Sequence, residues 1–150
     1  SHGEKFGSEA GRIGGVIGLK SLGAQYYVVP PGKAAVPFHA HYANEELYLI
    51  LEGEGSYRLG RETVPVKAGD LMAAPAGGEE TAHQLLNTGD VPLRYLVLST
   101  RNDPDVMTYP DSGKFAVAAG IPQGGGMLSA AFGFMGRTDS AVDYYDGEET

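Results

Sequence analysis

An all-β fold, a small barrel or jelly roll, is what the sequence predicts, and three observations predict it. Apolar runs are short, 23 glycines and 9 prolines punctuate them, and the runs between residues 25 and 99 number eight, the count of a small barrel or jelly roll. Such punctuation favours strands and turns over long helices. At 150 residues the chain matches the ~100–200 residues of one domain.

Taken in order, the first element is an arm over residues 1–23. Ser1-His2-Gly3 reads as the remnant of a cleaved tag, so His2 carries no weight in the reading, and no signal segment follows it. Gly11 to Gly23, with Ile13, Val16, Ile17, Leu19 and Leu22 among glycines, reads as an edge strand or arm. The barrel follows over 24–100. Its runs are 25–29, 36–41, 46–51, 56–59, 63–66, 71–74, 83–86 and 93–99. Pro30-Pro31-Gly32, Glu52-Gly53-Glu54-Gly55, Gly60-Arg61, Ala68-Gly69-Asp70 and Pro75-Ala76-Gly77-Gly78 separate them as turns. Beyond Thr100, Asn102-Asp103-Pro104-Asp105 and Gly124-Gly125-Gly126 indicate an irregular extension over 101–150. Within it Met127 to Phe132 reads as a short strand or helical turn laid on the barrel, and Asp143 to Thr150 as a loosely held acidic end.

Composition narrows the partners. Hydrophobic residues make up 42% of the chain, enough for a core, and no apolar run nears the ~18 residues that suggest a membrane span. Eleven Lys+Arg against 19 Asp+Glu give a net charge of -8, which repels a phosphate backbone and an anionic membrane face. With 0 cysteines there is no disulfide, thiolate nucleophile or thiolate metal site, and a reducing cytoplasm is the expected compartment.

The chemistry concentrates in four residues. In His39-Ala40-His41 the imidazoles sit two residues apart, so an extended strand projects both from one face about 6.5–7 Å apart, a gap one metal ion bridges. Tyr42-Ala43-Asn44 reads as a turn that resets the alternation, so the next strand opens with Glu46, and Tyr48 and Ile50 share its face. Leu47, Leu49 and Leu51 take the other face, which must also be covered. If Glu46 faces in, Glu45 faces out. A third imidazole, His83, opens a later strand. Three imidazoles and a carboxylate suit Fe(II), Mn, Ni, Co or Zn, and leave two positions open on an octahedral ion. The alternative is a set of satisfied polar groups with no metal.

Gly32 to Gly53, carrying His39, His41 and Glu46, resembles the first cupin motif, and Gly69 to Gly77 followed by His83-Gln84-Leu85-Leu86-Asn87 resembles the second. The resemblance implies a double-stranded β-helix barrel, often dimeric, with one divalent metal on His39, His41, Glu46 and His83. The second motif departs from the pattern: its histidine falls later than usual, and Glu80 stands at the expected position. His83 keeps the following Leu-Leu-Asn, which favours a longer turn before the strand over Glu80 as the ligand.

The expected function is a metal-dependent enzyme acting on a small oxygen-rich metabolite. With Fe(II) or Ni the resemblance implies a dioxygenase; with Zn or Mn it implies an isomerase, epimerase or lyase on a sugar-like or keto acid substrate. Metal-bound water, Glu45, Glu80 or a tyrosine would do the acid–base work, with Tyr48 and Glu45 as the catalytic candidates. Tyr48, Tyr57 and Tyr95 read equally as core, and Arg94 as a substrate contact or a solvated charge. The rivals are a non-catalytic module binding a small molecule and a barrel whose metal is only structural. A homodimer is expected from the two-sided apolar strand and the arm.

Overall fold

Strands form where apolar residues alternate between turn-formers, and each is short. The computed structural model describes residues 2–148; Ser1, at the head of the tag-like start, and Glu149 and Thr150, at the acidic end, lie outside the described residues. The strands are β1 (Glu9–Arg12), β2 (Leu22–Val29), β3 (Ala40–His41), β4 (Glu46–Glu52), β5 (Glu54–Leu59), β6 (Glu62–Lys67), β7 (Leu71–Ala74), β8 (His83–Leu86), β9 (Leu93–Thr100), β10 (Asp105–Tyr109), β11 (Lys114–Ala119) and β12 (Phe132–Arg137). The fold is all-β, with short 3₁₀ turns at Glu79–Thr81, Met127–Ser129 and Thr138–Ser140. No helix among the described residues is long and apolar enough to cross a membrane.

Two antiparallel walls enclose the core. One runs β1-β2-β9-β4-β7. The other joins β6-β5-β8 to β3-β10-β11-β12 through the segment before β3, where His39 and His83 exchange backbone hydrogen bonds at 3.1 and 2.8 Å. Between the walls lie Val29, Tyr48, Ile50, Tyr57, Met72, Leu85, Leu93 and Tyr95, all buried. Removal of that apolar surface from water is the main force holding the walls together.

Two expectations of local structure differ from what is observed. The run 36–41 is a strand only at Ala40–His41; its earlier part makes one isolated bridge, His39 to His83, and another, Ala34 to Leu86, lies just before the run. Pro37 has no N–H to give a continuous ladder. The segment after Thr100 is more regular than its turn-rich composition indicates: β10 pairs with β3, Met107 against His41 and Thr108 against Ala40, and β11 and β12 continue the sheet. Met107, Tyr109, Ala116 and Ala118 form a second cluster, covered by Ile121, Met127 and Ala130. Met127 sits in a 3₁₀ turn laid on that sheet, and Phe132 opens β12.

Gly53 closes the tight link between β4 and β5. Its φ is 88°, and a Cβ there would fall 2.9 Å from the Pro92 carbonyl oxygen, so both conformation and space require glycine.

Candidate metal centre

Strand alternation sorts the side chains of β4. Glu46, Tyr48 and Ile50 face the interior, whereas Leu47 and Leu51 are exposed on the outer side. Register across the wall sets Glu46 opposite Ser99 of β9 and Ala74 of β7, two small residues that leave room above the carboxylate. On the facing wall the β3–β10 pairing brings His39 and His41 to that opening, and the His39–His83 bridge sets the buried His83 behind them.

His39, His41 and Glu46 offer ligand atoms that all lie within 4.8 Å of one another. The Nε2 of His41 is 3.1 Å from Glu46 Oε1, and the Nε2 of His83 is 3.2 Å from Glu46 Oε2. The rings of His39 and His83 are 4.5 Å apart, and His83, buried at 1% exposure, sits behind the cluster against Glu46 rather than within the set of mutually close ligand atoms.

Each histidine is held by its other nitrogen. His39 Nδ1 lies 2.9 Å from the Pro37 carbonyl oxygen, His41 Nδ1 2.7 Å from Asp105 Oδ2, and His83 Nδ1 3.2 Å from the Thr81 carbonyl oxygen. All three partners are acceptors, so each Nδ1 carries the proton and donates it. Without a metal, the Nε2 of His41 and His83 donates to Glu46; with Nδ1 held by its own acceptor, Nε2 is the nitrogen whose proton an ion would replace, the orientation a metal ligand requires. Three nitrogens and a carboxylate so prepared fit a divalent transition metal.

The electrostatics follow from burial and pairing. Burial, together with the neighbouring His83, lowers His39 to about 4, so it is neutral near pH 7. Burial also opposes a charge on His41, but hydrogen bonds to Asp105 and Glu46 outweigh it and raise that imidazole to about 9. Glu46 is held well below the usual carboxylate range: burial works against its ionisation, and hydrogen bonds from His41 and His83 overcome that. Tyr48, fully inside the wall, donates its hydroxyl to Glu46 Oε2 at 2.7 Å, and burial beside that carboxylate raises it well above its ordinary value.

The structure does not gather every sequence candidate. Glu45 is exposed on the outer side of the wall, its backbone bonded to Thr100, because alternation that turns Glu46 inward turns it outward. Glu80 is exposed in the 3₁₀ turn before β8 and accepts from the Gly78 amide at 3.1 Å, so the added residues form a turn ahead of the strand and His83 is the side chain that enters. Tyr57 donates to the Ala73 carbonyl at 2.9 Å and Tyr95 stacks on Tyr27 at 5.1 Å, both within the core. Arg94 pairs with Glu52 at 3.0 Å, away from the cavity. Asn87 is buried and braces turns through the Val29 and Val91 carbonyls, at 2.8 Å each.

Asp105, which sequence reading placed in a turn, is a principal site residue. Buried at 4% exposure, it accepts from His41, from Asn44 Nδ2 at 2.9 Å, and from the Ala43 and Val106 amides at 3.1 and 2.9 Å. Tyr109, two turns of alternation along β10, lies against His39 with ring centroids 6.2 Å apart. The signal open to sequence was the alternation Asp105, Met107, Tyr109, which sets three side chains on one strand face. The cavity above the cluster has a volume of about 730 Å³ and is walled by Gln25, Tyr27, Asn44, Met107 and Tyr109 among others. That is the size of a small-metabolite site.

Comparison with known proteins agrees with this fold. Over 70 residues, 47% of this chain and 54% of the relative, the sequence is 37% identical to an oxalate-binding protein from Thermotoga maritima. Over 72 residues, 48% of this chain and 54% of the relative, it is 42% identical to an uncharacterized protein from Methanocaldococcus jannaschii. The matched region spans about half the length of these curated relatives. The solved structure of a sugar phosphate isomerase of the cupin superfamily from Silicibacter pomeroyi superposes with a TM-score of 0.78 at 25% identity, covering 93% of this chain and 82% of that one. The family model for the cupin domain matches residues 25–99, the span that supplies His39, His41, Glu46 and His83, and the chain belongs to the cupin family.

Proposed function

We propose that the protein is a metal-dependent enzyme that binds one divalent ion on His39, His41, Glu46 and His83 and rearranges a small oxygen-rich metabolite by isomerase-type proton transfer. One observation carries the reading: His39 and His41, each anchored through Nδ1, and Glu46 hold ligand atoms within 4.8 Å of one another at the base of a roughly 730 Å³ cavity, with His83 against the same carboxylate. When bound, the ion supplies Lewis acidity that polarises substrate oxygens. The chain's own residues orient and exclude. Tyr48 and His83 fix Glu46, Asp105 fixes His41, and Tyr109 covers His39. Of the two phenols that line the cavity, Tyr109 lies over His39 and Tyr27 is the proton donor; burial and the Glu46 charge raise Tyr27, so it stays protonated near neutrality. The isomerase neighbour at 25% identity supports this chemistry over dioxygen chemistry.

A second reading, a binding module without turnover, has its own support. Both carboxylates nearest the centre, Glu46 and Asp105, are engaged with His41, which leaves no free carboxylate base there, and the Thermotoga maritima relative is an oxalate-binding protein. Metal analysis of protein purified without chelator or nickel resin tests the shared premise. Near-stoichiometric metal that is lost in His41→Ala is expected; equal metal in parent and variant overturns the site. Conversion of sugar phosphates and keto acids by the loaded protein supports the enzyme, and saturable binding without conversion supports the module.

A further inference from the structure

The cavity is basic on a protein that is not. Arg12, Lys20, Arg101 and Lys114 line it, although the chain has 11 Lys+Arg against 19 Asp+Glu. Two of these charges converge on one atom: Arg12 Nη1 lies 3.3 Å and Arg101 Nη1 3.1 Å from the Gly125 carbonyl oxygen, and Arg101 Nη2 donates to the Pro122 carbonyl at 3.0 Å. A carbonyl oxygen holds the guanidiniums in place without cancelling their charge, and like charges so close repel.

Neutralising partners lie elsewhere. Among the described residues the arginine–carboxylate pairs are Arg58 with Asp111 and Arg94 with Glu52. The carboxylates of the cavity are engaged: Glu46 and Asp105 with His41, and Asp103 with the Gly120 and Ile121 amides at 3.0 and 2.7 Å. The arginine pair is also built from distant parts of the chain. Arg12 comes from edge strand β1, Arg101 follows β9, and the turn Pro122–Gly125 supplies both carbonyls. Glycines permit the approach. A Cβ on Gly15 would fall 3.0 Å from the Gly124 Cα, and one on Gly126 would overlap the Arg12 guanidinium. Tyr27 spans the distance to the metal centre, since its hydroxyl, bonded to Gln25 Oε1, feels both the Glu46 carboxylate and the Arg12 guanidinium.

We infer that Arg12 and Arg101 form an oxyanion subsite, which grips the phosphate or carboxylate end of a small substrate while its other, oxygen-bearing end reaches His39, His41 and Glu46. The forked donors of two guanidiniums suit a charged oxyanion, which supplies the missing countercharge. The far end of this substrate rests on the function proposed above; the anion subsite does not.

Isothermal titration of the metal-loaded protein with inorganic phosphate, and separately with acetate, tests it. Saturable binding to the parent is expected, weakened about tenfold or more in Arg12→Gln and in Arg101→Gln, as loss of one charge-assisted hydrogen-bonding group predicts. Arg94→Gln, which alters the outer surface, should bind like the parent. Preference for phosphate identifies a phosphorylated substrate, and equal binding a carboxylate. Arg12 is exposed on an edge strand, so its variant remains folded, as an unchanged melting temperature will report. No saturable binding by the parent, or equal binding by the parent and both variants, overturns the subsite. Metal content measured on the same samples separates the two proposals. Full metal with arginine-independent binding sinks the subsite alone, and arginine-dependent binding without metal sinks the metal-dependent enzyme alone.

Discussion

Asp105→Asn changes one atom and sets a conflict that the wild-type carboxylate avoids. Oδ1 accepts from the Ala43 and Val106 amides, while Oδ2 accepts from His41 Nδ1 and Asn44 Nδ2. An amide has one acceptor oxygen, so in either flip two of these four donors face an NH₂ group. If the oxygen stays with the backbone amides, His41 loses the partner that fixes its tautomer; if it turns to His41, two amides are stranded. The His41 bond, 2.7 Å long and charged, belongs to the class worth roughly 1.5–3 kcal/mol, and a stranded buried donor costs a further ~1–3 kcal/mol. We therefore expect the variant to lose about 3 kcal/mol of metal-free stability and about 10–100-fold in metal affinity. Chelator competition gives the affinity, and urea denaturation of the chelated protein gives the stability. Affinity within twofold of the parent, together with an unchanged urea midpoint, would refute the role assigned to Asp105.

Other perturbations test separate parts of the structure. Without metal, stability should peak near pH 6.5: His41, raised to about 9, stabilises below its ordinary value and loses that contribution as pH rises through 9, about 3 kcal/mol in all. On the acid side His39, lowered to about 4, costs stability as pH falls below 6.5, because the unfolded chain takes up that proton first. Urea midpoints of chelated protein across pH check both slopes, and a flat profile contradicts them. Tyr48→Phe removes the 2.7 Å hydroxyl bond to Glu46 while keeping the ring in the core, so metal affinity should fall about tenfold with under about 1.5 kcal/mol lost in stability. Gly53→Ala should cost about 2 kcal/mol or more, because the left-handed φ of 88° and the Pro92 carbonyl both oppose a Cβ; a melting temperature equal to the parent's disproves this. The outer row Tyr26, Leu96, Leu49 and Leu71, aligned across four strands, should pair two copies, so light scattering should read about twice 15.8 kDa and Leu49→Glu should halve it.

How far the sequence reaches depends on whether a feature is local. The eight runs correspond to β2 through β9 because each carries its own signal, alternation bounded by turn-formers. Asn102 to Asp105 sends the same turn signal, yet β10 opens on Asp105 itself. What makes it a strand is pairing with β3 and β11, contacts distant in sequence that propensity does not register. β3 shows the converse. Its run looks longer than the ladder, since Pro37 interrupts donation to β8 and only His39 restores it.

The same distinction divides the site. His39, His41 and Glu46 were legible because two residues of spacing and one turn decide which way they face, and both rules act within the strand. Asp105 was not, although it sits 2.7 Å from His41, because 64 residues separate them and a lone aspartate before a valine reads like any turn residue. Arg12 and Arg101 were hidden for a further reason. Each is an ordinary surface cation in its own segment, and only the approach of the arm to the Pro122–Gly125 turn sets them on a common oxygen. Residues that hold an ion must meet a fixed geometry within a few ångströms, which drives them into compact, readable motifs. Residues that steer a substrate act from the cavity's rim, where any loop can supply them, and they become visible only when the chain is folded.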